Sequence, residues 1–176
     1  MVGEARVEGL DDARYTGHPC AHLAHVTNVQ EPGRLPQHAR HHALRHEDRL
    51  VVRDDLENWQ RLNVTAFLAS GIAANPDLHG EPYADADGTR YLPLFRQPVL
   101  VMEGDKNVVA AARERAVRRG VPTAVFTSDM FSTGHDEANR AVVAAVRGAD
   151  LDLVGVAVHG PRNGVDKIVK GATLHP

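Results

Sequence analysis

The chain has one cysteine, Cys20, so no internal disulfide is open to it, and a reducing, cytoplasmic setting is the expectation. No apolar run approaches the length needed to cross a bilayer, which excludes a spanning helix and a membrane partner. The first residues carry Glu4, Glu8, Asp11 and Asp12 with no apolar stretch behind a basic start, so they do not read as a secretory signal. Excess positive charge is missing too. A formal net charge of −3 argues against a dedicated nucleic-acid binder. Aromatic residues make up only 5% of the chain, with a single tryptophan, Trp59.

What is present suits one globular domain. The 176 residues are 43% hydrophobic and 24% charged, enough for one buried core and too apolar for disorder throughout. The composition changes near His46. Residues 1–46 hold seven of the eleven histidines and the breakers Pro19, Pro32 and Pro36, without helix or strand periodicity. This segment is read as a poorly ordered extension, and residues 47–176 as the folded domain. Within the extension, "HPCAHLAH" offers His18, Cys20, His22 and His25, but the spacing matches no standard zinc finger. A solvated histidine-rich tail is the reading, with no metal and no cofactor expected.

From Leu50 the pattern is legible. "LVV" predicts a short buried strand, followed by a helix from about Leu56 to Ala73. Trp59, Leu62, Ala66, Ala69 and Ala73 recur at helical spacing, with Phe67 widening the stripe. "EPYADADGTRYLPLF" predicts a hairpin turning at Asp87-Gly88 rather than a calcium loop, which would need a closing glutamate. "QPVLVMEG" predicts a strand, and Asp105 a cap for the helix "NVVAAARERAVRRG". "VPTAVFT" is a further strand, "SDMFSTGHDEAN" a polar loop leading into the helix "RAVVAAVRG", and "LDLVGVAVHG" a continuous apolar strand before a short helical tail. Strands alternating with helices imply an α/β layer fold with helices on both faces of a central sheet.

In such folds polar groups gather where strands run out. Those ends deliver Asp54 and Asp55; Glu103, Asp105 and Lys106; Asp129, Thr133, His135 and Asp136; and His159 with Arg162 in "HGPRNG". If the strands are mostly parallel, these groups share one crevice. Any antiparallel strand sends its group to the opposite rim. Asp54 with Glu57 and Asp55 with Asn58 stand at capping spacing, so one of the two aspartates is expected to cap the helix and the other is left for chemistry. His135 is a candidate general base because its ordinary pKa lies near neutrality. A serine-type triad is excluded, since no G-x-S-x-G elbow occurs.

Three blocks carry a family resemblance: "VVRDDLENWQRLNVTAFLASGIA", "GEPYADADGTRYLPLFRQPVLV" and "DLVGVAVHGPRNGVDKIVKGATLHP". Together, over about residues 47–176, they closely resemble the bacterial family called domain of unknown function 2000. That family looks like a branch of the type 2 peptidyl-tRNA hydrolase fold. The resemblance implies a three-layer α/β/α sandwich around a mixed, roughly four-stranded sheet, with a small hairpin added. "TSDMFSTG" is similar to the hydrolases' Asp-x-Gly-Arg-Thr-Gln loop, with Asp129 and Thr133 at matching positions, and Asp166 falls at a matching acidic position near the end. The departures weigh as much. Where the hydrolases carry a Gly-Lys-x-Ala-Ala-Gln motif, "RLNVTAF" puts Asn63 near the lysine and Phe67 near the glutamine, with Arg61 the cation close by. Losing the lysine removes the group that would stabilise an oxyanion or hold a phosphate.

The expected function is therefore binding, with or without transformation, of a small molecule in a crevice by the first helix. Asp54, Asp55, Asn63, Asp129 and Thr133 are the candidate catalytic residues. Trp59, Phe67, His135, His159 and Arg162 are the candidate ligand contacts. The alternatives are hydrolysis of a peptidyl- or aminoacyl-tRNA ester, with tRNA an unfavoured partner at this net charge, and a non-catalytic homodimeric interaction module.

Overall fold

The structure is a computed structural model that describes residues 46–176, so the expectations for the histidine-rich extension lie outside the described residues, apart from His46. The described chain is a mixed α/β fold. Its main sheet has five strands in the order β5-β6-β1-β4-β7. They are β1 (His46–Arg53), β4 (Val99–Gly104), β5 (Thr123–Thr127), β6 (Leu153–Pro161) and β7 (Thr173–Leu174). The two residues of β2 (Tyr83–Ala84) and β3 (Arg90–Tyr91) form the small separate hairpin. Four helices complete the fold: α1 (Asn58–Ala73), α2 (Lys106–Arg118), α3 (Asp136–Ala144) and α4 (Arg162–Ile168). Among the described residues, no helix is long and apolar enough to cross a membrane.

β1 and β4 pair in parallel, while β6 is antiparallel to both β1 and β5, and β7 is antiparallel to β4. β1, β4 and β5 therefore end on one rim, and β6 ends on the other. The alternation of side chains along a strand then splits the core in two. Val51, Met102, Val156 and Val158 face α2 and α4, where Val109, Ala112, Ala116, Val165 and Ile168 cover them. Leu50, Val52, Phe126 and Ala157 face α1, which supplies Val64, Leu68 and Ile72.

Several sequence expectations need correction. The sheet gains a fifth strand because the tail after α4 does not stay helical. Gly171 takes a positive φ of 101°, the chain reverses, and Thr173 pairs with Glu103. The core face of α1 is not the tryptophan stripe. Val64, Leu68 and Ile72 recur every four residues and are buried, whereas Trp59, Leu62 and Phe67 are 61%, 74% and 49% exposed. Two apolar faces compete on this helix. The branched aliphatics win the sheet because their compact side chains allow close approach.

Neither Asp54 nor Asp55 caps α1. The N-cap is Glu57, in a reciprocal capping box with Gln60, whose amide oxygen accepts the Glu57 N–H at 3.0 Å. Asp105 does cap its helix, accepting the Val108 N–H at 2.8 Å. The hairpin turns where expected: Asp85 Oδ1 accepts the N–H groups of Asp87 (3.0 Å) and Thr89 (2.9 Å), and Gly88 takes a φ of 83°.

α1 approaches the sheet closely at Gly155 on β6. A Cβ there would stand 2.7 Å from Val64 Cγ1 and 2.8 Å from Leu68 Cδ1. Gly155→Ala is expected to lower stability by about 1–3 kcal/mol through overpacking. Chemical denaturation measures this, and a midpoint equal to wild type would contradict so close a contact.

Candidate functional site

A sizeable cavity lies on the α1 side of the edge strand β5. It has a volume of about 870 Å³ and is closed by α1, β5, the turn after β5 and α3. Its position follows from the unused face of α1. Trp59, Asn63 and Phe67 succeed one another at helical spacing and all three line it. The turn Ser128–Ser132 folds Met130 and Phe131 over the end of β5. The aromatic rings meet in series. Trp59 stands edge-on to Phe131 at 5.6 Å between centroids, Phe131 tilts against Phe126 at 5.1 Å, and Phe126 meets Phe67 edge-on at 5.6 Å. Such contacts give the wall a defined shape rather than a loose apolar surface.

The polar part of the lining comes from the start of α3. Thr133 Oγ1 contacts the Met130 carbonyl at 2.8 Å and the Asn139 side-chain amide. His135 is the N-cap of α3, its Nδ1 accepting the Ala138 N–H at 3.3 Å, while Asp136 stands in the first turn and pairs with Arg140. Met130, Thr133, His135, Asp136, Asn139 and Arg140 all border the cavity. Capping commits Nδ1 as an acceptor and leaves Nε2 to carry the ring proton, so the imidazole presents a donor there. The hydroxyl of Thr133 is oriented by Met130 and Asn139 at the border of the cavity.

Of the residues singled out from the sequence, five come together here: Trp59, Asn63, Phe67, Thr133 and His135. Five do not. Asp129 is exposed on the turn after β5 and is not part of the lining. Asp54 and Asp55 belong to the charged rim at the ends of β1 and β4. His159 and Arg162 are carried to the opposite rim by the antiparallel course of β6, which corrects the single-crevice expectation. There Arg162 pairs with Glu47 at 3.3 Å, and His159 with Asp48 at 2.7 Å. Asn139, Arg140, Met130 and Phe131 had not been singled out. The apolar pair "MF" inside a segment read as a polar loop was the one local sign of them.

The charged rim is a chain of ion pairs. Arg53 reaches Asp55 at 2.5 Å and Asp152 at 3.1 Å, Lys106 meets Asp152 at 2.8 Å, and Arg61 meets Glu103 at 3.1 Å. Arg61 also donates to the carbonyls of Leu56, at 3.0 Å, and Asp54. The Arg53 guanidinium, chiefly by its hydrogen bond, holds the Asp55 carboxyl below its ordinary range. Lys106, with the Ser128 hydroxyl, does the same for Asp152. Among the described residues no cluster of three or more histidine, cysteine, aspartate or glutamate side chains could hold a metal ion.

A model of the family described as "Protein of unknown function (DUF2000)" matches residues 49–176. A solved protein of unknown function from Agrobacterium tumefaciens strain C58 is similar over 74% of this chain and 98% of its own, with 43% identity and a TM-score of 0.72. No curated protein matches the chain.

Carboxyls held below their ordinary pKa stabilise the fold above the unfolded value, about 4, and lose that contribution as pH falls through the folded value. Asp152→Asn is therefore expected to flatten the decline in stability below about pH 4, while costing no more than about 1 kcal/mol at pH 7, because the pairs are partly exposed. Denaturation midpoints across pH 2–7 measure both, and an unchanged acid limb would show that Asp152 does not contribute to it.

Proposed function

The chain belongs to the DUF2000 family, and from that premise we propose that it binds a small, largely apolar molecule in the groove between α1, the edge of β5 and α3. The observation that carries this reading is the union of volume and lining. About 870 Å³ lies within the range of small-molecule sites, and such sites pair apolar and aromatic walls with a few placed polar groups. Here Trp59, Phe67, Phe126 and Phe131 make the walls. Asn63, Thr133, His135 and Asn139 supply hydrogen bonds, and the Arg140–Asp136 ion pair stands at the border. A stretch of apolar surface left open on α1 is costly unless it is used, since burying an aromatic side chain of this size is worth about 1.5–3 kcal/mol.

The ligand this lining suits has a flat or branched apolar body and one polar end carrying a hydrogen-bond acceptor, directed toward the His135 ring N–H. His135 is engaged in capping α3 and Asp136 in its pair with Arg140, so binding rather than transformation is the function proposed for the groove. Hydrolysis of a tRNA ester gains no support. Arg61, the cation nearest the position of the hydrolase lysine, is spent on Glu103 and two backbone carbonyls, and Asp129 stands outside the lining.

Trp59 is the sole tryptophan and stands in the wall, so its emission reports occupancy directly. Screening apolar carboxylates and ketones by Trp59 fluorescence is expected to give saturable changes. Asn63→Phe, which fills the groove from an exposed helix position, should weaken binding at least about tenfold, the loss of one well-placed contact set. Phe67→Ala should weaken it by removing wall area. Ligands that bind Asn63→Phe as tightly as wild type would place the site elsewhere.

A further inference from the structure

A second constellation lies at the opposite rim and takes no part in the groove. Asp48 on β1 is fully buried, at 0% exposure, and faces His159 directly across the β1–β6 pairing. One carboxylate oxygen meets His159 Nδ1 at 2.7 Å, and the other accepts the Gln97 side-chain amide at 2.9 Å. The imidazole is further stacked on His46, with ring centroids 5.5 Å apart and 18° between planes. A buried carboxylate with both oxygens engaged cannot turn, so the ring it holds cannot turn either. Because a carboxylate accepts, Nδ1 donates to it, and the second nitrogen, Nε2, becomes the acceptor of the neutral ring. Among the described residues Nε2 has no protein partner.

His159 borders a separate cavity of about 460 Å³ between the end of α1 and the start of β5. The remaining walls are mostly apolar, with Ile72, Pro122 and Ala124. Two other polar side chains border it, and both are partly spent. Thr123 Oγ1 donates to the Val121 carbonyl at 2.7 Å, and Asn75 Oδ1 accepts the Asp77 N–H at 3.1 Å. The cross-strand pair thus fixes the ring of a histidine that borders a cavity.

We propose that this second cavity binds a small alcohol or phenol whose hydroxyl donates to His159 Nε2. The chemistry excludes other classes in turn. An anion would present only acceptors to Nε2, itself an acceptor. An ammonium would lose its hydration against apolar walls with no free carboxylate oxygen facing it. A ligand without a donor would leave Nε2 desolvated and unpaired. A neutral hydroxyl satisfies Nε2 and leaves its apolar body to Ile72, Pro122 and Ala124. Asp48 and Gln97 are positioning residues. They hold the ring and raise its strength as an acceptor, as a carboxylate behind a histidine does at metal and catalytic sites.

Phenol is the probe, with anisole, which has the same ring but no hydroxyl donor, as its control. Titration of the protein, labelled with nitrogen-15 in its histidine rings, is expected to move the His159 Nε2 resonance saturably with phenol. Anisole should bind at least about tenfold more weakly, the loss of one buried hydrogen bond. His159→Phe, which keeps an aromatic ring and removes the acceptor, should weaken phenol binding by a similar factor. Asp48→Asn should shift the Nε2 resonance of the free protein and weaken phenol binding several-fold. A His159 nitrogen that stays still throughout, equal binding of phenol and anisole, or undiminished binding by His159→Phe would each overturn the proposal and leave the pair as a cross-strand clamp. Trp59 emission reports the groove separately. A change there with a still His159 nitrogen overturns this site without touching the groove.

Discussion

β6 lies hydrogen-bonded between β1 and β5 and runs antiparallel to both, and the charged and polar pairs at the two rims of the sheet depend on that reversal. Because β6 returns, its carboxyl end meets the amino end of β1. His159 lands opposite Asp48, and Arg162 lands near Glu47. Because β6 starts where β1 ends, Asp152 arrives between Arg53 and Lys106. One rim becomes a chain of ion pairs that closes the ends of the strands. The other receives a buried carboxylate and a half-buried imidazole whose cost of burial is offset by their bond to each other. A parallel β6 would have exchanged these two outcomes.

The second constraint is the close approach of α1 to that same strand. Gly155 lets Val64 and Leu68 reach the β6 backbone, and Gly71 brings the far end of the helix against β5, where a Cβ would stand 2.7 Å from Ala124 Cβ. A helix held this close by its aliphatic face must turn its other apolar face outward. Trp59, Asn63 and Phe67 then look along the edge of β5, and the turn after β5 supplies the facing wall. The groove is thus a consequence of packing. The same contacts that stabilise the sheet leave the aromatic residues uncovered beside it.

The start of α1 shows how tertiary partners overrule local preference. Asp54 and Asp55 both stand at a spacing suited to capping, yet the helix begins later, at Asn58, behind Glu57. Arg53 draws Asp55 to itself and to the rim shared with Asp152, and Arg61 fastens the Asp54 carbonyl. A charge-assisted pair outweighs one cap bond when the arginine is fixed by a strand. Asp55 is thereby held in the charged rim, and the proposed groove lies a turn later along the helix.

Strand and helix order, the Asp105 cap, the hairpin at Gly88 and the α/β class were all legible in the sequence, because each rests on local periodicity or a short-range hydrogen bond. Part of the groove lining could also be named from the sequence: Trp59 and Phe67 from the helical stripe, His135 from its place before a helix, and Asn63 and Thr133 from the family resemblance. What spacing could not decide was which of two apolar faces of α1 meets the sheet, or which rim receives His159. Both depend on strand direction and on contacts between residues about a hundred positions apart, Asp48 with His159 and Val64 with Gly155 among them. The sequence by itself determined the elements and the side chains they carry. Only the tertiary structure decided which of those side chains meet, because the direction of β6 is set by the packing of the whole sheet and leaves no mark in the spacing of its own residues.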